Sequence, residues 1–585
     1  MYRSDTPLAL FDSNLDGERA IRLRRCVEHL RCTEPAQLDD AFARIERAGR
    51  DGHWVALAAA YELGYVLEEK LEALRPPDTT PLLEAWIFAE CDSLTEDQVE
   101  QWLAETPGPA GLRDFAPAIQ TSDYLAAVDS VRDYIDRGDC YQANFTFPCH
   151  AHAYGEPRAL YRQLRHAQPV RYGAYIEHGN GVLLSRSPEL FVERIGQTLT
   201  CRPMKGTAPA TATPEALTRS AKNRAENVMI VDLIRNDLGR LAPAGGVSVP
   251  RLFTAERYST VWQMTSTVEA RHVRAGLKAI FGALFPCGSV TGAPKIRAMQ
   301  IIRELEQRPR GVYCGAIGWI APNGDFGFNV PIRTLEIQPS GRVRYGTGSG
   351  IVFDSDPLGE WRECQLKTHF LQDLPEKIGL IETMRCHGGM REPVPWLQAH
   401  MTRLDRSAHA LGIAIDTDDV ASRVMALASS LRGTRRIRLE VSGHGQIELS
   451  HGPLEPTPAR PSVVVTKTPL EADLSLSRFK TTLRRQYDNT LREVVKQGHF
   501  DAIFTGHGGE LVEGCRSTLF LRLGEHLYTP PLSSGALDGI CRQHLLRCGL
   551  ARERKLTLPD LASAQRVYMG NALRGLVEVR VLGEA

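Results

Sequence analysis

The 585-residue sequence has no net charge, no long apolar run and no patterned cysteines, and each absence removes a class of function. Its 70 Lys and Arg balance 70 Asp and Glu, which removes the electrostatic footprint of a nucleic-acid or polybasic membrane binder and leaves only local clusters for small anions. No apolar stretch reaches bilayer length. The start, "MYRSDTPLALFDSNLDGERA", lacks a basic segment followed by an apolar one, so a cytoplasmic location is expected. The 13 cysteines never fall in CxxC spacing, so reduced, packed thiols are expected rather than a zinc site or a disulfide framework. Repeats and low-complexity segments are missing too, and no Gly-Lys-Ser/Thr ending completes a Walker loop.

What is present is a chain too long for one ordinary core, so two or more domains are expected. Residues 1–115 mix short apolar stretches with breaks, and "RPPDTTP" and "TPGPAGLRDFAP" read as loops. From Ser122 the pattern becomes regular. "SDYLAAVDSVRDYIDRGD" spaces Leu125, Val128, Val131 and Ile135 as a helix behind a Ser/Asp cap, and "CYQANFTFPCHAHA" alternates like a strand. "GVLLSRSPELFVERI", "CGAIGWIAP" and "FNVPIRTLEIQP" alternate similarly, and "EALTRSAKNRAENVMIVDLIRNDLGRLA" reads as one long helix. A boundary is expected near 371–378, "LQDLPEKI", with domains at 1–373 (an N-terminal part to 115, a core at 120–370) and 378–585.

Several side chains ask for a chemical reason. In "CRPMKGTAPA" Lys205 sits between a proline-led bend and Gly206, which lets backbone approach a ligand, although a plain surface turn would read the same. Glu226 lies on a helix whose Val231, Ile234 and Leu238 form an apolar side, so it needs a partner. Asp356 before Pro357 reads as a helix cap, which puts Glu363 and Lys367 one turn apart on one face. As an isolated helix pair these two would contribute only tenths of a kcal/mol. The glycine-rich "FPCGSVTGAPKIRAM" and "YGTGSGIVFDSD" offer backbone N–H groups to an anion.

In order, "YQANFT", "SPELF", "PMKGT", "AENVMIVDLIRNDLGR", "GSVTGAPK", "YCGAIGW", "IRT" and "GTGSGIVFDSDP" resemble the chorismate-utilising enzymes, closely over residues 120–370. The resemblance implies an α/β (α+β) fold of two large antiparallel sheets flanked by helices, with chorismate in the cleft. It implies Mg²⁺ on Glu226 and Glu363. It further implies chorismate contacts from Tyr313, Arg333, Thr291, Lys367 and the backbone of Gly348, Ser349 and Gly350. The "KGT" form is similar to the aminodeoxychorismate synthase component I family. There the lysine, here Lys205, attacks ring C2 and expels the C4 hydroxyl, ammonia enters at C4, and the counterpart of Glu189 protonates the leaving hydroxyl. Anthranilate synthases usually carry alanine at the Lys205 position. Gln263 departs from the histidine of many relatives. No cysteine nucleophile with a downstream His-Glu pair is found, so ammonia is expected to be free or to come from a separate glutamine amidotransferase, component II.

The remaining motifs are "QAHMTRLDRSAHALG", "SRFKTTLRRQYDNT", "GELVEGCRSTLFL" and "LYTPPLSSGALDGICRQHLL", which place Arg403 on a helix, Lys480 at a strand end, Glu513 ahead of an apolar strand and Gly539–Ile540 at a helix start. They resemble the class IV pyridoxal-phosphate enzymes, a fold-type IV family that includes aminotransferases and 4-amino-4-deoxychorismate lyase. The resemblance implies that Lys480 carries pyridoxal 5'-phosphate and moves protons, Glu513 pairs with its ring nitrogen, and Arg403, Gly539 and Ile540 hold its phosphate. A homodimer through this domain is also implied. Ala572 stands where a hydroxyl residue is often found near the phosphate. Joined, the two resemblances imply 4-aminobenzoate synthesis, the folate precursor, by C4 amination and then pyruvate elimination. The alternatives are an anthranilate or isochorismate synthase fused to an aminotransferase, or a silent C-terminal domain.

Overall fold

Apolar residues build the sheets of both units, and in the first unit central strands are covered on both faces. The computed structural model describes all residues except 1–5, 16, 78–79, 107, 210, 212, 258–260, 373, 375–376, 472–475 and 585. Residue 373, the expected end of the first domain, lies outside them. The chain divides into two compact units, Met1–Gly111 with Phe115–Pro375 and Leu112–Asp114 with Glu376–Ala585. No described helix is long and apolar enough to cross a membrane.

In the first unit the residues read as loop-rich up to 115 contribute full strands. Leu8–Asp12 pairs with Ala20–Cys32 and with Tyr172–His178, and Trp54–Ala59 pairs with Leu83–Leu94 and with Ala316–Ile320. The N-terminal part is therefore woven into the same sheets as the core. Trp54–Ala59 shows why: Val55, Leu57 and Ala59 enter one apolar core and Ala56 and Ala58 another. A strand buried on both faces reads as an apolar run rather than an alternation. Each large side chain so buried contributes roughly 1.5–3 kcal/mol.

Two helices correct the sequence reading. The long helix expected from "EALTRSAKN" onwards breaks at Ser220 into Pro214–Arg219 and Ala221–Gly239, because the Ser220 hydroxyl accepts the Asn223 N–H (3.3 Å) and caps the second segment. The helix Thr121–Asp136 starts one residue before Ser122 and has Gln120 as its N-cap, with no side-chain cap. Asp356 does cap Pro357–Leu366, accepting the Gly359 N–H at 2.8 Å.

The second unit holds a three-stranded antiparallel sheet, Leu380–Gly388, Gly433–Val441 and Ile447–Pro453. Its larger, mixed sheet is centred on Ser462–Val465, which pairs in parallel with Asp501–Thr505 and Gly575–Glu584. Lys480 is not at a strand end. It lies in an irregular stretch tied to the first sheet by one bridge, Leu380 to Thr481, and by its own carbonyl, which accepts the Ile381 N–H at 2.8 Å.

Candidate functional site

The first site is built on one strand, Arg342–Ile351, paired along its length with Gln142–Tyr154. Residues 346, 348 and 350 share one face of it, and all are glycine because other groups occupy the space. A Cβ on Gly346 would stand 2.2 Å from the Tyr313 ring, and one on Gly350 would stand 2.6 Å from Asn144 Oδ1, 2.9 Å from Gln142 Nε2 and 3.1 Å from Lys205 Nζ. Lys205 arrives from the strand Met204–Pro209, and Gly206 behind it takes φ +96°, a left-handed value that a side chain would oppose. The amine of Lys205 lies 3.5 Å from Glu226 Oε2.

Glu189 sits in the break between the strands Gly181–Ser187 and Leu190–Ile195, 4% exposed, with Oε1 lacking a partner among the described residues. Burial pushes its carboxyl up to about 7, against the Ser289 hydroxyl, the Met204 N–H and the charge of Lys205, which pull it down. A carboxyl that holds its proton near neutrality beside an amine can deliver that proton to a departing oxygen.

Glu226 meets the Lys205 amine directly, and Glu363 lies within reach of its charge. Burial raises the Glu363 carboxyl, but Lys367, Lys205 and Lys222 outweigh it and the net shift is downward. Glu226 beside Lys205, and Glu363 held ionised by its lysine neighbours, are the kind of carboxylates Mg²⁺ takes, one or two from the protein with waters and substrate oxygens filling the rest of its octahedron. Lys367 donates to Glu363 Oε1 and to the Gly348 carbonyl, both at 2.8 Å. Arg333 turns the chain between the strands Phe326–Asn329 and Thr334–Ile337 at φ 53°, and its charge acts on Tyr345, whose hydroxyl donates to the Lys367 carbonyl at 3.0 Å.

Two side chains in this set point elsewhere. The Ser349 hydroxyl bonds Tyr124 at 2.8 Å, on the face away from the glycines, so only its backbone can meet a ligand. The buried Thr291 hydroxyl closes its own turn, donating to the carbonyls of Cys287 (3.2 Å) and Gly288 (3.3 Å). Gln263 lies on the strand Val261–Ala270 opposite Thr207, next to the Lys205 strand.

Other groups at this site have no role in the sequence reading, although Gln142 lies within "YQANFT". Gln142, fully buried, has neither amide atom partnered among the described residues. Arg310 and Glu306 form a buried pair that Arg310 extends to the carbonyls of Val290 (2.8 Å) and Asn144 (2.7 Å), while Glu306 accepts the Thr146 N–H at 2.8 Å. This pair clamps the Gln142 strand to the Thr291 turn. Its role is tertiary, since a Glu and an Arg at helical spacing look like any surface pair.

The second site is a cavity of about 370 Å³ inside the C-terminal unit, lined by Arg403, Lys480, Glu513, Gly539, Ile540 and Ala572 among others. Burial, then the charge of Arg403, lowers the Lys480 amine to about 7, and its Nζ donates to Thr383 Oγ1 at 3.3 Å. Such an amine is substantially neutral at physiological pH and suits attack on a carbonyl. Glu513, on the short strand Leu511–Gly514, is raised by burial to about 7 and accepts from Tyr487 OH (2.7 Å) and the Leu537 N–H (2.9 Å). Arg403, on the helix Leu397–Ala410, is locked by Glu382 (2.8 and 2.5 Å) and reaches the Asp538 carbonyl at 3.1 Å. His400 Nδ1 bonds the same Glu382 at 2.6 Å. The Gly539 N–H turns back to the Leu537 carbonyl at 2.8 Å, which leaves Ile540, the first residue of the helix Ile540–Arg547, as the amide presented at that end. A neutral lysine, a carboxylate, a guanidinium and a helix start around one small cavity fit pyridoxal phosphate.

Comparison with known proteins matches each part to a family model. The chorismate binding enzyme model matches residues 15–373 and the class IV amino-transferase model residues 379–582. Aminodeoxychorismate synthase component 1 of Klebsiella aerogenes is 42% identical over 251 residues, 41% of this chain and 55% of that protein. Aminodeoxychorismate synthase of Streptomyces griseus is 42% identical over 272 residues, 45% of this chain and 37% of its own length. Anthranilate synthase component I from Streptococcus pneumoniae TIGR4 has the same fold, with a TM-score of 0.53 at 25% identity over 62% of this chain and 93% of that one. The chain thus spans 37% to 55% of the length of the two aminodeoxychorismate synthases.

Proposed function

The chain belongs to the chorismate binding enzymes, and we propose that it makes 4-aminobenzoate from chorismate in two steps, one in each unit. The observation that carries the first step is Lys205, whose amine stands over Gly350, 3.5 Å from Glu226, and whose charge acts on Glu189, an acid raised to about 7. Lys205 attacks ring C2 as the C4 hydroxyl departs, and Glu189 gives its proton to that oxygen, so water leaves. Ammonia then bonds at C4 and Lys205 is released. Glu226 and Glu363 would hold Mg²⁺, whose charge binds the ring carboxylate. Tyr313, Arg333, Lys367 and the glycine strand position the enolpyruvyl side chain. Ammonia is taken free or from a separate glutaminase component.

In the second unit Lys480 takes the proton from C4 of the aminated ring, the C3–O bond breaks, pyruvate leaves and the ring becomes aromatic. Pyridoxal phosphate, when bound, supplies an electron sink for that carbon. Glu513 keeps the ring-nitrogen end polar, Arg403 and the Ile540 amide bind the phosphate end, and Thr383 orients the Lys480 amine.

The test is product analysis with chorismate, Mg²⁺, ammonium and pyridoxal phosphate. The expected products are 4-aminobenzoate and pyruvate. Anthranilate or isochorismate instead would overturn the first step, and aminodeoxychorismate without 4-aminobenzoate would overturn the second.

A further inference from the structure

The C-terminal cavity carries more positive charge than a cofactor phosphate accounts for. Six arginines and Lys480 line it against three carboxylates, Glu455, Asp488 and Glu513. The cations fall into two groups. Lys480 feels Arg403, Arg484 and Arg438, and of these Arg403 is paired with Glu382, Arg438 with Glu440 and Arg484 with Asp488. The other group is Arg436, Arg516 and Arg574. Arg516 and Arg574 lie over one ring, Phe500, at 5.0 and 5.9 Å from its centre. Their bonds go to backbone carbonyls, Arg516 to Phe500 at 2.6 Å and Arg574 to Glu455 at 2.8 Å. Arg574 Nε is buried with no hydrogen-bond partner among the described residues, and so is Nε of Arg385, which pairs across the three-stranded sheet with Arg436.

Guanidinium groups repel one another, and a buried N–H without an acceptor is costly. Arg516 and Arg574 are held by carbonyls and a ring. Arg574 stands among Arg516, Arg385 and Arg436 with Glu455 as the one carboxylate acting on it, and Arg516 has Asp501 near by, so guanidinium is in excess and suits an anion brought from outside. Planar carboxylates match the guanidinium fork. We infer that Arg436, Arg516 and Arg574 form a second anion subsite, which binds a carboxylate of the substrate and makes this cavity selective for dicarboxylates over monocarboxylates. The inference rests on the two-step reading above, in which the substrate carries two carboxylates. It distinguishes the cavity from one shaped for a monocarboxylate amino acid.

The experiment uses the full chain loaded with pyridoxal phosphate and titrated with isophthalate or benzoate. Binding is followed at the absorption band of the cofactor, which reports this cavity alone. Isophthalate is expected to bind about tenfold tighter than benzoate, and Arg574→Met to remove that advantage while benzoate changes by less than about threefold. Arg574→Lys should recover part of it. Equal affinities in the wild type overturn the inference, as does a parallel loss of both ligands in the variant. Release of pyridoxal phosphate by Arg574→Met would assign the arginines to the cofactor phosphate and also overturn it. If no cofactor band forms, the same two ligands are titrated calorimetrically into wild type and Arg574→Met, with the same outcomes expected for and against the subsite. A dicarboxylate preference in a protein that makes no 4-aminobenzoate leaves the subsite standing and removes the two-step reading.

Discussion

The two units each present one lysine, and the surroundings of the two amines differ in kind. Lys205 has a carboxylate, Glu226, at 3.5 Å, a second carboxylate near by in Glu363, and an acid raised to about 7 in Glu189. Lys480 has a hydroxyl at 3.3 Å and cations around it, led by Arg403. The second amine is made reactive by the protein alone, through burial and like charge. The first is held by an anion that a cation would also claim. Its readiness therefore depends on what else occupies the site, as the proposed role of Lys205 requires.

The largest effect expected from this contrast is that of Lys480→Ala. It should reduce 4-aminobenzoate formation by roughly 10⁴-fold or more, leave C4 amination within about twofold, and cause aminodeoxychorismate to accumulate. Chromatography of the two products over time checks this. Equal loss of both steps would mean that the units do not work separately.

Next in size is a split in pH dependence. Glu189 must be protonated to act and titrates near 7, so amination should fall about tenfold per unit above that value. Lys480 must be neutral and also titrates near 7, so elimination should fall about tenfold per unit below it. Assaying each step with its own substrate from about pH 5.5 to 9 should give opposite limbs. Glu189→Gln should flatten the alkaline limb of the first step and slow it by ~10²-fold or more. Parallel profiles would remove Glu189 from the acid role.

Gly350→Ala is a smaller and more local change. The added methyl would press on Lys205, Asn144 and Gln142 at 2.6–3.1 Å, so amination should slow about tenfold while elimination is unchanged. An unaltered first step would show that these three side chains yield without cost.

How much of the fold and the site is legible in the sequence follows from where each signal lives. Asp356 and Pro357 announce a helix start locally, and the structure has it. Glu363 and Lys367 likewise meet at helical spacing. The N-terminal strands escape a reading by periodicity because a strand buried on both faces loses its alternation, as in Trp54–Ala59. Ser220 escapes it because a serine inside a helical pattern caps only if the chain turns there. The Arg310 clamp and the arginines around Phe500 depend on residues far apart in sequence, and no local pattern carries them; Gln142 lies inside "YQANFT", but its lack of a partner among the described residues is a tertiary fact. Thr291, assigned to substrate by resemblance, donates its hydroxyl to the carbonyls of its own turn, a contact that the sequence does not announce.

The smallest expected effect tests whether Lys367 serves the first site or merely the helix. Its partner Glu363 keeps 56% of its side chain exposed, so the pair itself should contribute well under ~1 kcal/mol to folding. Lys367→Met should then move the melting temperature by less than about 2 °C. The same amine also fixes the Gly348 carbonyl on the glycine strand at 2.8 Å. Losing that contact should loosen the strand where substrate lies and raise KM for chorismate several-fold, with kcat changed less. A thermal scan beside steady-state kinetics separates the outcomes. A large drop in melting temperature with unchanged KM would make Lys367 a helix residue only, and the first site would then rest on Lys205, Glu189 and the two carboxylates without it.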